Sequence, residues 1–278
     1  MNWLAQKFIL AFGWRRALMM LAAGALAGLS MPPMFLLPAL FVAMPVWVWA
    51  LDGVETTTGW SRVFGPAFRI GFFFALGYFL VALYWIGAAF FVDGGWMLAL
   101  MPVAIGALAA LMALFWGLAS ALAFLFWSPS KTRILALAAS LSGAEFLRGH
   151  IFSGFPFDLV GYALTGNDML MQTASLVGVY GLTFIAAILA FVPAIIWPAD
   201  GRRMIVRLIP AFAALIVFAA MFFYGDWRLA ATKLVAQQDV RLRLVQPAIA
   251  QNMKWVPGNR DFIINRLISL SESKAVPG

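Results

Sequence analysis

The chain has 278 residues, 64% hydrophobic and only 11% charged, with a mean hydropathy of +0.93. Soluble domains carry about 25% charged residues, so this composition cannot supply a water-facing surface and marks an integral membrane protein. The net charge is +8, but the basic residues flank apolar runs instead of forming one basic face, which argues against nucleic acid as a partner. The sequence has no cysteine and a single histidine, His150; disulfides, thiolate chemistry and histidine metal sites are therefore not expected within it.

A bilayer core of about 30 Å needs roughly 20 apolar residues per helix, and the sequence offers about seven such segments. The first two, near 17–31 and 34–51, form a hairpin broken at Pro32-Pro33, because proline cannot continue a helix. Arg15 and Arg16 snorkel at its entry. A signal-peptide reading of the first segment competes, but a second hydrophobic segment follows at once. The third segment runs from Ile70 to Val92 and stops at Asp93-Gly94-Gly95, a turn signal. The fourth, Trp96 to Trp127, exceeds a bilayer's need and is expected to tilt or to begin in the interface. The fifth covers about 134–147, the sixth 169–197 and the seventh 204–224.

Loop charge sets the orientation. With the N-terminus in the cytoplasm, the inner loops hold Lys7, Arg15, Arg16, Arg62, Arg69, Lys131, Arg133, Arg202, Arg203 and Arg207, against Arg148 alone in the short outer ones. Seven spans then place the C-terminal tail outside, which is the periplasm in a Gram-negative cell. Trp14, Trp47, Trp49, Trp60, Trp96, Trp127, Trp197 and Trp227 fall near predicted span ends, where indole rings favour the headgroup region.

Few residues in the spans could carry chemistry. Glu145 lies at the edge of the fifth segment, and Arg148 follows at i+3 on the same helix face. An intramembrane ionisable group is a functional candidate by default; the structural alternative is a self-neutralising pair anchoring the helix end. The scarcity of other polar groups argues against a proton relay, an ion path or a transporter. The connector from Gly149 to Asp168 is aromatic and glycine-rich, too apolar for an aqueous loop and too broken for a span. It reads either as a packed connector or as an interfacial wall that admits acyl chains from the membrane. In the tail, Val240, Leu242 and Leu244 alternate with Arg241 and Arg243, as in a half-buried strand. Phe262, Ile263, Leu267 and Leu270 then fall near helical spacing within 260–273. One strand and one helix cannot bury a core of their own.

Several motifs, in this order, resemble the bacterial apolipoprotein N-acyltransferases. They are Glu145-x-x-Arg148-Gly149, then Gly154-Phe155-Pro156-Phe157 with Gly161-Tyr162, then Gln172-x-Ala174-Ser175 with Gly178-x-Tyr180-Gly181. Last comes Val245-Gln246-Pro247-x-Ile249-x-Gln251-x-x-Lys254-Trp255. Phe157 is a departure, since the family usually has tryptophan there. The resemblance covers the whole chain but only the first half of the family's length. It implies an all-α polytopic membrane bundle of about seven transmembrane helices over 1–227. An incomplete α/β segment, the beginning of a truncated nitrilase-like extracytoplasmic domain, then follows over 228–278.

The chemistry implied by the resemblance is acyl transfer at the bacterial cytoplasmic (inner) membrane, with no cofactor and no metal. An acyl chain passes from a membrane phospholipid to a cysteine thiolate, and from that thioester to the α-amino group of the diacylglyceryl-cysteine of a lipoprotein. Covalent catalysis divides one difficult exchange into two easier ones. The family's Glu–Lys–Cys triad lies beyond the Lys-Trp motif, so no catalytic residue is assigned here, and neither Lys254 nor Glu272 is placed in the triad. The segment is expected to be inactive alone, as a fragment or a truncated product. Trp255, Phe155, Pro156 and Tyr162 are the candidate lipid contacts, with Trp255 at the mouth of the acyl site. Glu145, Arg148, Gln246, Gln251 and Lys254 are structural candidates. A non-catalytic membrane scaffold or remnant of the same descent is the alternative.

Overall fold

The computed structural model describes residues 2–55, 65–197, 201, 203–232, 242–254 and 256–273. A helix occupies each of the apolar segments. An N-terminal helix α1 (Asn2–Ile9) precedes α2 (Gly13–Gly28), α3 (Leu37–Asp52) and α4 (Pro66–Ala82). A 3-10 segment Leu83–Ala89 and a short turn Phe90–Asp93 continue α4. Then come α5 (Met97–Leu125), α6 (Arg133–His150), α7 (Ala174–Ile196), α8 (Met204–Ala231) and α9 (Asn259–Glu272).

Four of these runs, Pro66–Val92, Met97–Leu125, Ala174–Ile196 and Met204–Ala231, are long and apolar enough to cross a membrane. The pair Trp3–Ile9 and Gly13–Gly28, bent by 117°, supplies a fifth if it counts as one span. Helix α3 is shorter, and α6 carries Arg133, Glu145 and Arg148. At about 1.5 Å per residue, the 29 residues of α5 reach roughly 44 Å, longer than the hydrocarbon core, as its sequence predicts. On its outer face Leu111, Leu114, Leu118, Leu122 and Leu125 are all exposed. That leucine stripe would be untenable in water and is ordinary against lipid.

Six helices close into a ring in the order α2, α4, α5, α6, α7, α3 and back to α2, while α8 lies outside against α7 and α1 against α3. Lipid is as apolar as the core, so close packing and polar contacts hold the ring together, not the expulsion of water. The α2–α4 seam shows how. A β-carbon added at Gly24 would sit 1.7 Å from the Phe74 carbonyl oxygen, and one at Gly77 would sit 2.0 Å from that of Leu21. The two backbones touch where both side chains are absent. Inside the ring, the Trp47 and Trp116 rings stack 5.4 Å apart, with Phe74 and Tyr78 against them. The Trp47 indole donates to Ser120 Oγ at 2.9 Å.

This interior corrects part of the tryptophan reading. Trp47 is fully buried, and Trp49 donates to the Trp197 carbonyl at 3.0 Å; both belong to the core, because their helix faces inward on most sides. Trp14, Trp96 and Trp227 are exposed as expected of interfacial rings, and Trp60 lies outside the described residues. At the end of the bundle where α6 begins, Arg133 donates to Asp52 at 3.0 Å and the Trp127 indole donates to the same carboxylate at 3.1 Å.

The tail differs from its predicted form. Among the described residues there is no strand: Leu242–Ala250 has no regular structure, and Val240 and Arg241 lie outside them. A strand needs a neighbour to take its backbone hydrogen bonds, and among the described residues no segment pairs with Leu242–Ala250. The predicted helix is present as α9, with Phe262, Ile264 and Ile268 exposed along it.

Candidate functional site

Helix α6 delivers Glu145 and Arg148 to the interior of the ring. Both are buried, Glu145 completely and Arg148 to within 2%. A carboxylate removed from water must find donors, and Glu145 has two: the Trp116 indole of α5 on one oxygen and Arg148 Nη2 on the other. The guanidinium also reaches outside the helix, although its Nε is buried without a partner. Its Nη1 donates to the Phe155 carbonyl at 2.6 Å, and its carbon lies 5.1 Å from the Phe79 ring centroid. The Phe155 N–H returns a bond to the Arg148 carbonyl at 3.0 Å. The pair predicted by spacing is therefore present, and it turns inward as the fastening of the connector that follows.

The connector divides into two halves, one exposed and one packed inside the ring. Its first half stays at the surface. Gly154 takes φ +72°, and a β-carbon there would lie 2.4 Å from the Gly149 carbonyl oxygen, so glycine lets the chain fold back onto the end of α6. Phe152 is 98% exposed, Phe157 half exposed. Phe155 and Phe157 lie 5.0 Å apart, and Trp85 from the 3-10 continuation of α4 meets Phe157 at 5.7 Å. Tyr162 donates to the Pro156 carbonyl at 3.2 Å. Of the candidate lipid contacts, Phe155, Pro156 and Tyr162 thus come together beside Phe157 and Trp85. The second half enters the ring. Leu159, Val160, Ala163 and Leu164 are buried, and the Gly161 N–H donates to Thr183 Oγ1 at 3.2 Å.

Asp158 stands at the division. Its carbonyl accepts from Tyr78 of α4 at 3.0 Å, and its side chain is hydrogen-bonded by Trp85. Burial pushes the Asp158 carboxyl up to about 6, the Trp85 bond and the Arg148 charge opposing that rise and the Glu145 charge adding to it. One of its oxygens is buried without a hydrogen-bond partner.

The remaining candidates lie apart from this cluster. Gln246, Gln251 and Lys254 are all exposed, Gln246 accepting weakly from the Ala248 N–H at 3.4 Å. Trp255 lies outside the described residues. The turn Gln251–Met253 nevertheless packs on Phe90–Asp93, the continuation of α4 just beyond Trp85, so this turn of the tail lies at the aromatic end of the bundle. Sequence reasoning did not single out Trp116, Tyr78, Trp85 or Asp158. For Trp116 a signal existed: a tryptophan in the middle of a long apolar run is far from the interface and needs an acceptor for its N–H.

The sequence profile of the Apolipoprotein N-acyltransferase N-terminal domain matches residues 23–192, which include the α5–α6 cluster and the whole connector. The chain belongs to the apolipoprotein N-acyltransferase family. The Apolipoprotein N-acyltransferase of Rhodopseudomonas palustris is 39% identical over 274 residues, covering 99% of this chain and 51% of its own length. That of Brucella suis is 37% identical over 279 residues, covering 99% and 52%. That of Bradyrhizobium diazoefficiens is 39% identical over 274 residues, covering 99% and 50%. The chain spans about half the length of the curated N-acyltransferases it matches.

Proposed function

We propose that this chain is the membrane half of an enzyme that moves an acyl chain from a phospholipid to the α-amino group of a lipoprotein's lipid-modified cysteine. In this reading residues 1–227 form the membrane domain and 228–278 open a nitrilase-like domain. All seven apolar helices cross the inner membrane, with the N-terminus cytoplasmic and the tail periplasmic. The thioester-forming cysteine belongs to the other half, since the 278 residues contain none. The role of this half is placement. Phe155, Pro156, Phe157, Tyr162 and Trp85 form an aromatic ledge that receives acyl chains laterally, and Arg148 holds it in register through the Phe155 carbonyl. Trp255, Gln246, Gln251 and Lys254 belong to the junction with the catalytic half.

The observation that carries this reading is the position of the ledge, at the end of the bundle where the tail packs on Phe90–Asp93. Both substrates are lipid-anchored, so the reacting atoms must meet at that surface. A chimera tests it: residues 1–278 joined to the second half of the Rhodopseudomonas relative, assayed for N-acylation of a diacylglyceryl lipopeptide with a phospholipid donor. The chimera should acylate, the 1–278 segment alone should not, and Phe155→Ala/Phe157→Ala in the chimera should lower the rate at unchanged expression. Acylation by the segment alone, or an unaffected double variant, would sink the reading.

A further inference from the structure

At the end of the bundle opposite the aromatic ledge, α2 and α4 begin side by side and enclose a groove of about 600 Å³. Its walls are apolar, with Ala17, Ile70 and Phe73 among them and the exposed Trp14 at the rim. Two arginines line it, Arg16 from the first turn of α2 and Arg69 from the first turn of α4, close enough for their charges to repel. Arg15 adds a third cation over the Trp14 ring, at 5.9 Å.

This is the wrong end of a helix for cations. A helix N-terminus carries a partial positive charge and free N–H groups that favour anions. Neither first turn holds an acid, and neither N-cap residue, Phe12 or Gly65, gives a side-chain hydrogen bond. The ion pairs among the described residues are Arg133–Asp52 and Arg148–Glu145, so neither Arg16 nor Arg69 has a carboxylate within 4 Å there. The exposed Glu55 lines an adjoining groove that shares Arg16 and Pro66, but it forms no ion pair with Arg16. Two helix starts without side-chain caps and two arginines with no carboxylate partner among the described residues therefore converge on a hydrophobic slot. A soluble anion would satisfy the charge and leave the slot empty; an anionic phospholipid would satisfy both.

We propose that the groove between the starts of α2 and α4 binds an anionic phospholipid, its phosphate between Arg16 and Arg69 and an acyl chain against Ala17, Ile70 and Phe73. The site is separate from the ledge and does not depend on the acyl-transfer reading. It clamps two ring helices together through a lipid of the leaflet facing away from the ledge.

The test uses the full 278-residue chain in non-ionic detergent, with native mass spectrometry of lipid adducts. Dioleoyl phosphatidylglycerol and dioleoyl phosphatidylcholine are offered in equal amounts. A basic residue at an anionic lipid surface is worth about fivefold in binding, so the wild-type preference for phosphatidylglycerol should be roughly 25-fold. R16Q/R69Q should bring it near unity, R16K/R69K should keep most of it, and Ala17→Trp should displace the lipid with all charges in place. No preference in the wild type, or an undiminished preference in R16Q/R69Q or Ala17→Trp, overturns the proposal. Displacement of the lipid by inorganic phosphate at equal concentration would also overturn it, assigning the arginines to a soluble anion.

Discussion

Replacing Glu145 with alanine should be among the most damaging single changes to this bundle. The carboxylate is completely buried and accepts from both Trp116 and Arg148. Its removal strands the Arg148 guanidinium, itself buried, and leaves the Trp116 N–H without an acceptor. Breaking a buried ion pair by deleting one partner costs about 3–5 kcal/mol, and an unsatisfied buried donor adds roughly 1–3 kcal/mol. The two losses overlap, so the expected penalty is about 4 kcal/mol. Glu145→Gln keeps an acceptor for Trp116 but loses the charge, and should cost less. The informative comparison is with the double variant E145A/R148M. With both charges gone, the ion-pair part of the penalty should largely vanish, because a buried ion pair often does no better than apolar side chains of similar size, while the Trp116 N–H stays without its acceptor. The Phe155 carbonyl would still lose its donor, so the connector should loosen although the bundle stays folded. Reversible unfolding in mixed micelles gives the stabilities, and proteolysis within 151–157 reports on the connector. A cost for Glu145→Ala below about 1 kcal/mol, or a double variant no more stable than the single one, would refute the account.

Three further outcomes follow from the same contacts. Gly24→Ala would drive a β-carbon to within 1.7 Å of the Phe74 carbonyl oxygen, so α2 and α4 must separate; a loss of about 1–3 kcal/mol in the same unfolding assay is expected, as for overpacking. Asp52→Ala removes the acceptor shared by Arg133 and Trp127; it should cost about 1–3 kcal/mol, and an unchanged melting curve would contradict that. The raised Asp158 carboxyl binds its proton more tightly folded than unfolded, so stability should fall as pH rises from about 4 through the folded value of about 6. Asp158→Asn should remove that component and raise stability at pH 7, which melting at pH 4.5 and 7 would check.

The helices of the apolar segments were legible because a run of apolar residues is a local property, although among the described residues only four runs, or five with the bent N-terminal pair, are long and apolar enough to cross a membrane. The Glu145–Arg148 contact was legible for a similar reason, since i, i+3 spacing on a helix brings two side chains together without any tertiary help. The motif order from Glu145 to Lys254 likewise pointed to the family that the relatives support. What spacing left open was which way the pair faces. Rotating α6 outward would give a surface anchor; packed between α5 and α7, it gives a buried fastening for Phe155.

The same limit explains the tryptophans. Distance from a span end predicts an interfacial ring, but Trp47 lies in a helix covered on most sides by α2, α4 and α7, and its fate depends on those neighbours. The tail reads as a strand, but its described part, Leu242–Ala250, forms none, because alternation records only which side chains share a face, whereas a strand exists through hydrogen bonds to another segment. Composition and periodicity thus determined that the chain is a membrane protein built of helices, and where those helices lie. Closure of six of them into a ring decided the rest: the contact of Trp116 with Glu145, the meeting of Trp85 with Phe157 and the convergence of Arg16 and Arg69 on one groove. Each of these joins residues far apart in sequence, and their proximity is set by packing that no local pattern encodes.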